Sequence, residues 1–247
     1  MAVLGLHDKA RPEYTLQWIN IKNRYADPRN DWPESCYGLS YDVVMLELEK
    51  PAKLGTAFPN VALACLGESI KTYDGYLTYT MGWGQQVPFW NESSPPPNNK
   101  RLQLVKQQII PLKRCNEIWR RPSNESLGPQ YICAAGLAPN SKGIWTTKCG
   151  GDSGGPLVWS DIGSDTTYLL GVVVSGVRPC GAATDDPDGD GDKVPYPGIF
   201  ARVSDRASLE WIQRCFKDTE LCGEPYTPTW CEHLTLPFTI PQGFTFY

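Results

Sequence analysis

The sequence predicts a mostly β protein, and three observations predict it. Glycine (23) and proline (22) are abundant in a chain of 247 residues. Apolar runs such as Val43 to Leu46 and Leu169 to Val174 are short and rich in β-branched residues. Turn-forming stretches separate these runs, as they do in proteins built of strands.

Taken in order, Leu16 to Ile21 and Tyr41 to Leu48 read as strands, separated by a polar, proline-containing loop that holds Cys36. A third, Leu77 to Met81, ends at Gly82-Trp83-Gly84. The segment Gln85 to Lys100 carries Pro88, Pro95 to Pro97 and Asn98-Asn99, so it is an exposed loop or an interdomain connection. A strand over Leu102 to Ile110 follows, then a short helix over Leu112 to Arg120, then strands near Tyr131, Leu157 and Leu169 to Val174. Near the end, Ser204 or Asp205 can cap a helix in which Leu209, Ile212 and Phe216 share an apolar face and Glu210 pairs with Arg214. Residues 217–247, with Cys222, Cys231 and several prolines, read as a tethered or partly disordered extension.

Composition excludes several classes of function. Hydrophobic residues make up 41% and charged residues 20%, with a net charge of -4, so neither nucleic acid nor another polyanion is an expected partner. No apolar stretch reaches the roughly 18 residues of a membrane span, and the chain is long enough to bury a core as a monomer without a metal or a partner. Met1 to Lys9 lacks the basic-then-apolar build of a secretory signal. Nine cysteines without paired CxxC spacing nevertheless point to a disulfide framework. The sequons at Asn91 and Asn124 fit the same extracellular setting as glycosylation sites, so the mature protein is expected to be secreted, its signal lying upstream.

The chemistry concentrates in Cys149-Gly150-Gly151-Asp152-Ser153-Gly154-Gly155-Pro156. Glycines let this backbone turn tightly and set amide hydrogens beside a serine oxygen. A hydroxyl at Ser153 can attack a carbonyl while the amides of Gly151 and Ser153 stabilise the oxyanion.

This stretch resembles the active-site serine motif of trypsin/chymotrypsin-like proteases, whose triad is a well-worked chemical template. Asp42, ahead of the apolar Val43 to Leu48, resembles that family's buried aspartate. Gly82-Trp83-Gly84, Tyr131 to Gly136, Gly171 to Cys180 and Tyr196 to Val203 follow in the family's order, over roughly Ala2 to Phe216. The resemblance implies a chymotrypsin-like double β-barrel with a C-terminal helix, the first barrel incomplete, in a domain spanning residues 1–216. It implies pairing of Cys115 with Cys133 and of Cys149 with Cys180. Thr78 and Trp159 stand where the family often has another disulfide, and both cysteines are absent together.

The implied activity is that of a serine endopeptidase working through an acyl-enzyme, with polypeptide substrates or protein inhibitors as partners. The serine hydroxyl needs a histidine as proton acceptor, and the chain has two, His7 and His233. Neither stands in an Ala-Ala-His-Cys string. His7 reads as a surface-loop residue and His233 lies in the extension, so the chain by itself is expected to have negligible activity, as a fragment of a complete enzyme. The amine that ordinarily pairs with the aspartate before the serine, here Asp152, is also missing, so the serine loop is expected to relax. The alternative is a non-catalytic homologue serving as a secreted binding module.

By resemblance, Thr147 forms the base of the substrate pocket, with Lys148 beside it and Gly176 and Gly198 on the walls. This predicts an open slot for uncharged, large side chains. Lys148 is expected to snorkel to solvent; pointing inward, it would repel basic substrates and admit acidic ones. No cofactor is expected. Asp186, Asp188 and Asp190 share the spacing of half a calcium loop, but Pro197 stands where its bidentate glutamate belongs, so a solvated charged loop is the default and any calcium site would be weak. Cys36, Cys65, Cys215, Cys222 and Cys231 leave an odd number, and Cys65 is the expected unpaired thiol.

Overall fold

The structure, a computed structural model, describes residues 1–11, 13–30, 40–86, 99–123, 126–161, 163, 166–217 and 245–246. Asn91, Asn124, Cys36, Cys222, Cys231 and His233 therefore lie outside the described residues.

The first half contributes β1 (Ala2–Leu4) paired with β2 (Gln17–Ile19), and β3 (Ile21–Ala26) paired with β4 (Val44–Leu48). The single strand expected over Leu16 to Ile21 is two. Asn20 breaks it, because its carbonyl accepts from Glu49 and its side-chain amide donates to the Glu49 carboxylate.

The second half closes on itself. Strands β6 (Leu77–Gly82), β7 (Gln103–Ile110), β8 (Tyr131–Gly136), β9 (Pro156–Asp161), β10 (Thr166–Ser175) and β14 (Gly198–Arg202) pair in the order β14-β8-β7-β6-β9-β10, and β10 returns to β14 to complete a barrel. All these pairings are antiparallel. A short β5 (Cys65–Leu66) runs parallel to β10 outside the ring. Leu157, Leu170, Phe200 and Ala134 fill the interior, each without exposed surface. Pairing around a closed ring leaves no unpaired edge. The fold is thus mostly β, as the sequence predicts, with one closed barrel, two separate hairpin-like sheets in the first half and a C-terminal helix.

Small elements complete it. Helix α1 (Leu112–Ser123) bridges β7 and β8, β11 (Val177–Arg178) extends the end of β10, and β12 (Ala183–Asp185) pairs with β13 (Lys193–Pro195) below the acidic loop. Helix α2 (Arg206–Lys217) is capped by Asp205, whose carboxylate accepts the amides of Ala207 and Ser208 at 3.2 and 3.3 Å. Its buried face is Ser208, Trp211, Ile212 and Cys215, while Phe216 is exposed, so the apolar face expected from Leu209, Ile212 and Phe216 is rotated. Glu210 pairs backwards with Arg206 rather than forwards with Arg214. Within the extension, β15 (Thr245–Phe246) pairs antiparallel with β11.

Register explains the absent disulfide. Tyr79 faces Val158 and Thr80 faces Leu157, so one step further the same ladder sets Thr78 opposite Trp159. There Trp159 stacks on Tyr168 at 5.1 Å and meets Tyr76 edge-on at 5.2 Å, with the Lys71 ammonium 4.7 Å from its ring. Aromatic and cation–π contacts hold the position that a covalent bridge would otherwise hold.

Candidate active site

The serine loop begins as a turn. Asp152 donates its amide to the Cys149 carbonyl at 3.0 Å, and Gly151, third of the four residues, has φ of +89°. A positive φ there defines a type II turn, a conformation that glycine adopts without strain. Ser153 follows the turn and is exposed to solvent.

The loop is then tied to the barrel. Gly154 donates to the Val173 carbonyl at 2.9 Å and Val173 donates back to Gly155 at 2.8 Å. Among the described residues the amides of Gly151 and Ser153 take part in no backbone hydrogen bond, which leaves both donors for a ligand oxygen. The Asp152 carboxylate points the other way, accepting from Gly84 at 2.8 Å and Cys149 at 2.9 Å. Two backbone amides thus supply this carboxylate with hydrogen-bond partners.

Asp42, which resembles a buried aspartate in the sequence, is exposed in the structure; its neighbour Val43 is buried in one cluster with Val174 on β10, next to the Val173 that anchors the serine loop. The second histidine being outside the described residues, the first, His7, is an exposed loop residue whose carbonyl accepts from Leu102 and the Trp83 indole, as expected of a surface position.

Both implied disulfides are present, Cys115–Cys133 and Cys149–Cys180, the second clamping the serine loop to the end of β11. Cys215 is also disulfide-bonded, and Cys65 is a free, exposed thiol, as expected.

Of the residues expected to form the pocket, Lys148 lies against Gly198 and bonds to Ser175, the neighbour of Gly176. Thr147 is half-buried, with its hydroxyl 3.4 Å from the amide of the buried Gln107. Gly176 and Gly198 are buried. Lys148 departs from expectation: its exposure is 0%, so it does not snorkel. It turns inward because its ammonium finds the Ser175 carbonyl and the face of Phe200, 5.8 Å from the ring centre. Burial pushes its pKa down to about 7, against an upward pull from Asp152. The room comes from Gly198, where a Cβ would stand 2.8 Å from the Lys148 Cε. A cavity of about 230 Å³ is lined by Asp152, Thr147, Lys148, Gln85 and Trp145 among others, but by none of Ser153, Gly176 and Gly198.

In the acidic loop, Asp186 is engaged by Arg114 at 2.5 Å and by the amide of Asp188 at 2.9 Å, and Lys193 pairs with Asp185. Among the described residues no cluster of His, Cys, Asp and Glu could hold a metal ion, and no described helix is long and apolar enough to cross a membrane.

Sequence reasoning missed a second ionic group. Asp27, 1% exposed, is bridged by Arg29 at 2.5 Å, and Arg29 reaches Asp205 at 3.5 Å while lying 4.0 Å from the Tyr41 ring centre. The contacts to Asp27 raise the guanidinium's pKa above its ordinary value, although burial opposes them as the largest single influence. The local Asp27-Pro28-Arg29 spacing was the available signal; its partner Asp205 lies far along the chain.

A closed antiparallel barrel presents an exposed serine after a glycine turn, and a disulfide braces that turn. The match to known proteins narrows this: the Trypsin family model covers residues 1–212, and the chain belongs to that family. Among similar proteins are the snake venom serine protease catroxase-2 of Crotalus atrox, 24% identical over 210 residues, and serine protease 41 of Homo sapiens, 26% identical over 218. These alignments cover 85% and 81% of this chain, which spans 66% and 61% of the relatives' lengths.

Proposed function

We propose that the chain carries the nucleophile and oxyanion portion of a serine endopeptidase site, and that it works outside the cell on polypeptides. Ser153 attacks the scissile carbonyl, the amides of Gly151 and Ser153 receive the oxyanion, and Asp42 orients an imidazole that accepts the serine proton and returns it to the leaving amine. The observation that carries this reading is the type II turn at Gly151 followed by an exposed Ser153. Two disulfides and a venom relative support the extracellular setting. The sequons at Asn91 and Asn124 remain the proposed glycosylation sites, and residues 1–216 the protease domain.

His7 lies on the loop bonded to Leu102 and Trp83, so the 247-residue chain alone is expected to turn over peptides negligibly. Imidazole added to the purified chain should raise the hydrolysis of a peptide ester, and Ser153→Ala should abolish that increase. An increase that persists in Ser153→Ala, or none at all, overturns the reading. The second outcome favours a non-catalytic homologue that binds partners, a reading for which the inward-turned, buried Lys148 speaks.

A further inference from the structure

A second cavity, of about 660 Å³, contains no residue of the serine loop. It is lined by Val3 to His7, Glu13 and Asn60 to Ala62, with Trp83 and Leu102. Its size falls in the range of roughly 300 to 1,000 Å³ in which proteins take small molecules. Most of this lining is apolar, and one group stands out from it. The Oε2 atom of Glu13 is buried without a hydrogen-bond partner, and among the described residues no ion pair includes Glu13. A buried polar atom in that state costs folding free energy, which a bound donor offsets. The wall around it is held in place, because the Trp83 indole N–H at 3.3 Å and the Leu102 amide at 2.8 Å both donate to the His7 carbonyl. The Trp83 ring already meets one cation, the Lys9 ammonium 5.2 Å from its centre.

We propose that this cavity binds a small organic ammonium, a primary amine on a short apolar stem, whose N–H donates to Glu13 Oε2. Glu13 sets the sign, since a carboxylate accepts a charge-assisted hydrogen bond from an ammonium and repels carboxylates and phosphates. The apolar walls, among them Leu4, Leu6, Val61 and Leu102, set the stem, because they gain from covering hydrocarbon and offer nothing to a hydrated ion. A calcium ion takes roughly six to eight oxygen ligands, whereas the side chains of the lining supply oxygen only from Glu13 and Asn60. The site is independent of the peptidase reading, because it shares no residue with the serine loop or with the cavity that Lys148 lines.

The test is a titration of the 247-residue chain with benzylamine, its neutral isostere benzyl alcohol, and benzoate, followed by calorimetry. Benzylamine should bind about tenfold more tightly than benzyl alcohol, as one hydrogen bond to a charged group provides, and benzoate should bind least. In Glu13→Gln the amine and the alcohol should bind alike, with the affinity for the alcohol unchanged. Ala62→Phe, at an exposed position of the lining, should weaken both ligands together by narrowing the cavity while Glu13 stays in place. Equal binding of amine and alcohol to the native chain, tighter binding of benzoate, or a preference for the amine that survives Glu13→Gln overturns the proposal. So does an absence of binding at millimolar amine, or displacement of benzylamine by calcium chloride, which would make the cavity a metal site. None of these outcomes bears on imidazole rescue at Ser153, so failure here and failure of the peptidase reading are told apart.

Discussion

The closed barrel and the first half are made of similar strands and turns but bury their side chains very differently. In the barrel, Leu157, Ile199 and Phe200 have no exposed surface, whereas Trp18 is 55% and Leu46 48% exposed in the hairpins of the first half. The difference lies in closure rather than composition. Six strands returning to the first enclose a volume that side chains of β7, β8, β9, β10 and β14 fill. A two-stranded ladder has two faces, and β3 with β4 covers only the one bearing Tyr25, packed on Val174 and Trp211. The candidate serine precedes a strand on the closed side and the candidate aspartate one on the open side.

Substitutions can sharpen that contrast. The largest effect should come from the buried charge in the barrel. Lys148 binds its proton less well in the folded chain, with a pKa of about 7, than in the unfolded chain, where it returns to the ordinary value of 10.5. Between those values the unfolded state holds more protons, so stability rises with pH through this window. The rise is bounded at about 5 kcal/mol, and denaturant titrations of the native chain and Lys148→Met across the window should differ by this slope.

Next, Phe200→Ala should cost about 4 kcal/mol by urea unfolding, since it empties a sealed site. Breaking Cys115–Cys133, which spans 18 residues, with a double alanine substitution should cost about 3 kcal/mol. Asp205→Ala removes both a helix cap and an Arg29 partner and should cost about 1 to 2 kcal/mol. At the small end, Leu46→Ala in the open half should change stability by less than about 0.5 kcal/mol. A cost for Leu46→Ala close to that of Phe200→Ala would erase the contrast.

Much of the barrel was legible because its strands carry local signals. The run over Leu169 to Val174 lies within an observed strand, and the run over Leu102 to Ile110 matches β7 from Gln103 onwards. Strand β14 was recognised only as a matched stretch, because Pro195 and Pro197 obscure its start. The rotation of α2 went unread for another reason: Trp211 and Phe216 are both candidates for an apolar face by period, and only Tyr25, Val43 and Val174 decide between them. Lys148 shows the limit most clearly. Taken locally, a lysine beside Thr147 belongs in water, and its burial depends on the missing side chain of Gly198, fifty positions away.

The contacts of Arg29 carry a consequence for measurement. Asp205 holds the first amides of α2 with one oxygen, and that same oxygen forms an ion pair with Arg29 from the first half at 3.5 Å. Loosening of the first half therefore weakens the cap, and deuterium should enter the Ala207 and Ser208 amides sooner. Those two amides form a built-in gauge on the rigid side of the molecule, reporting how well the aspartate side of the site is ordered.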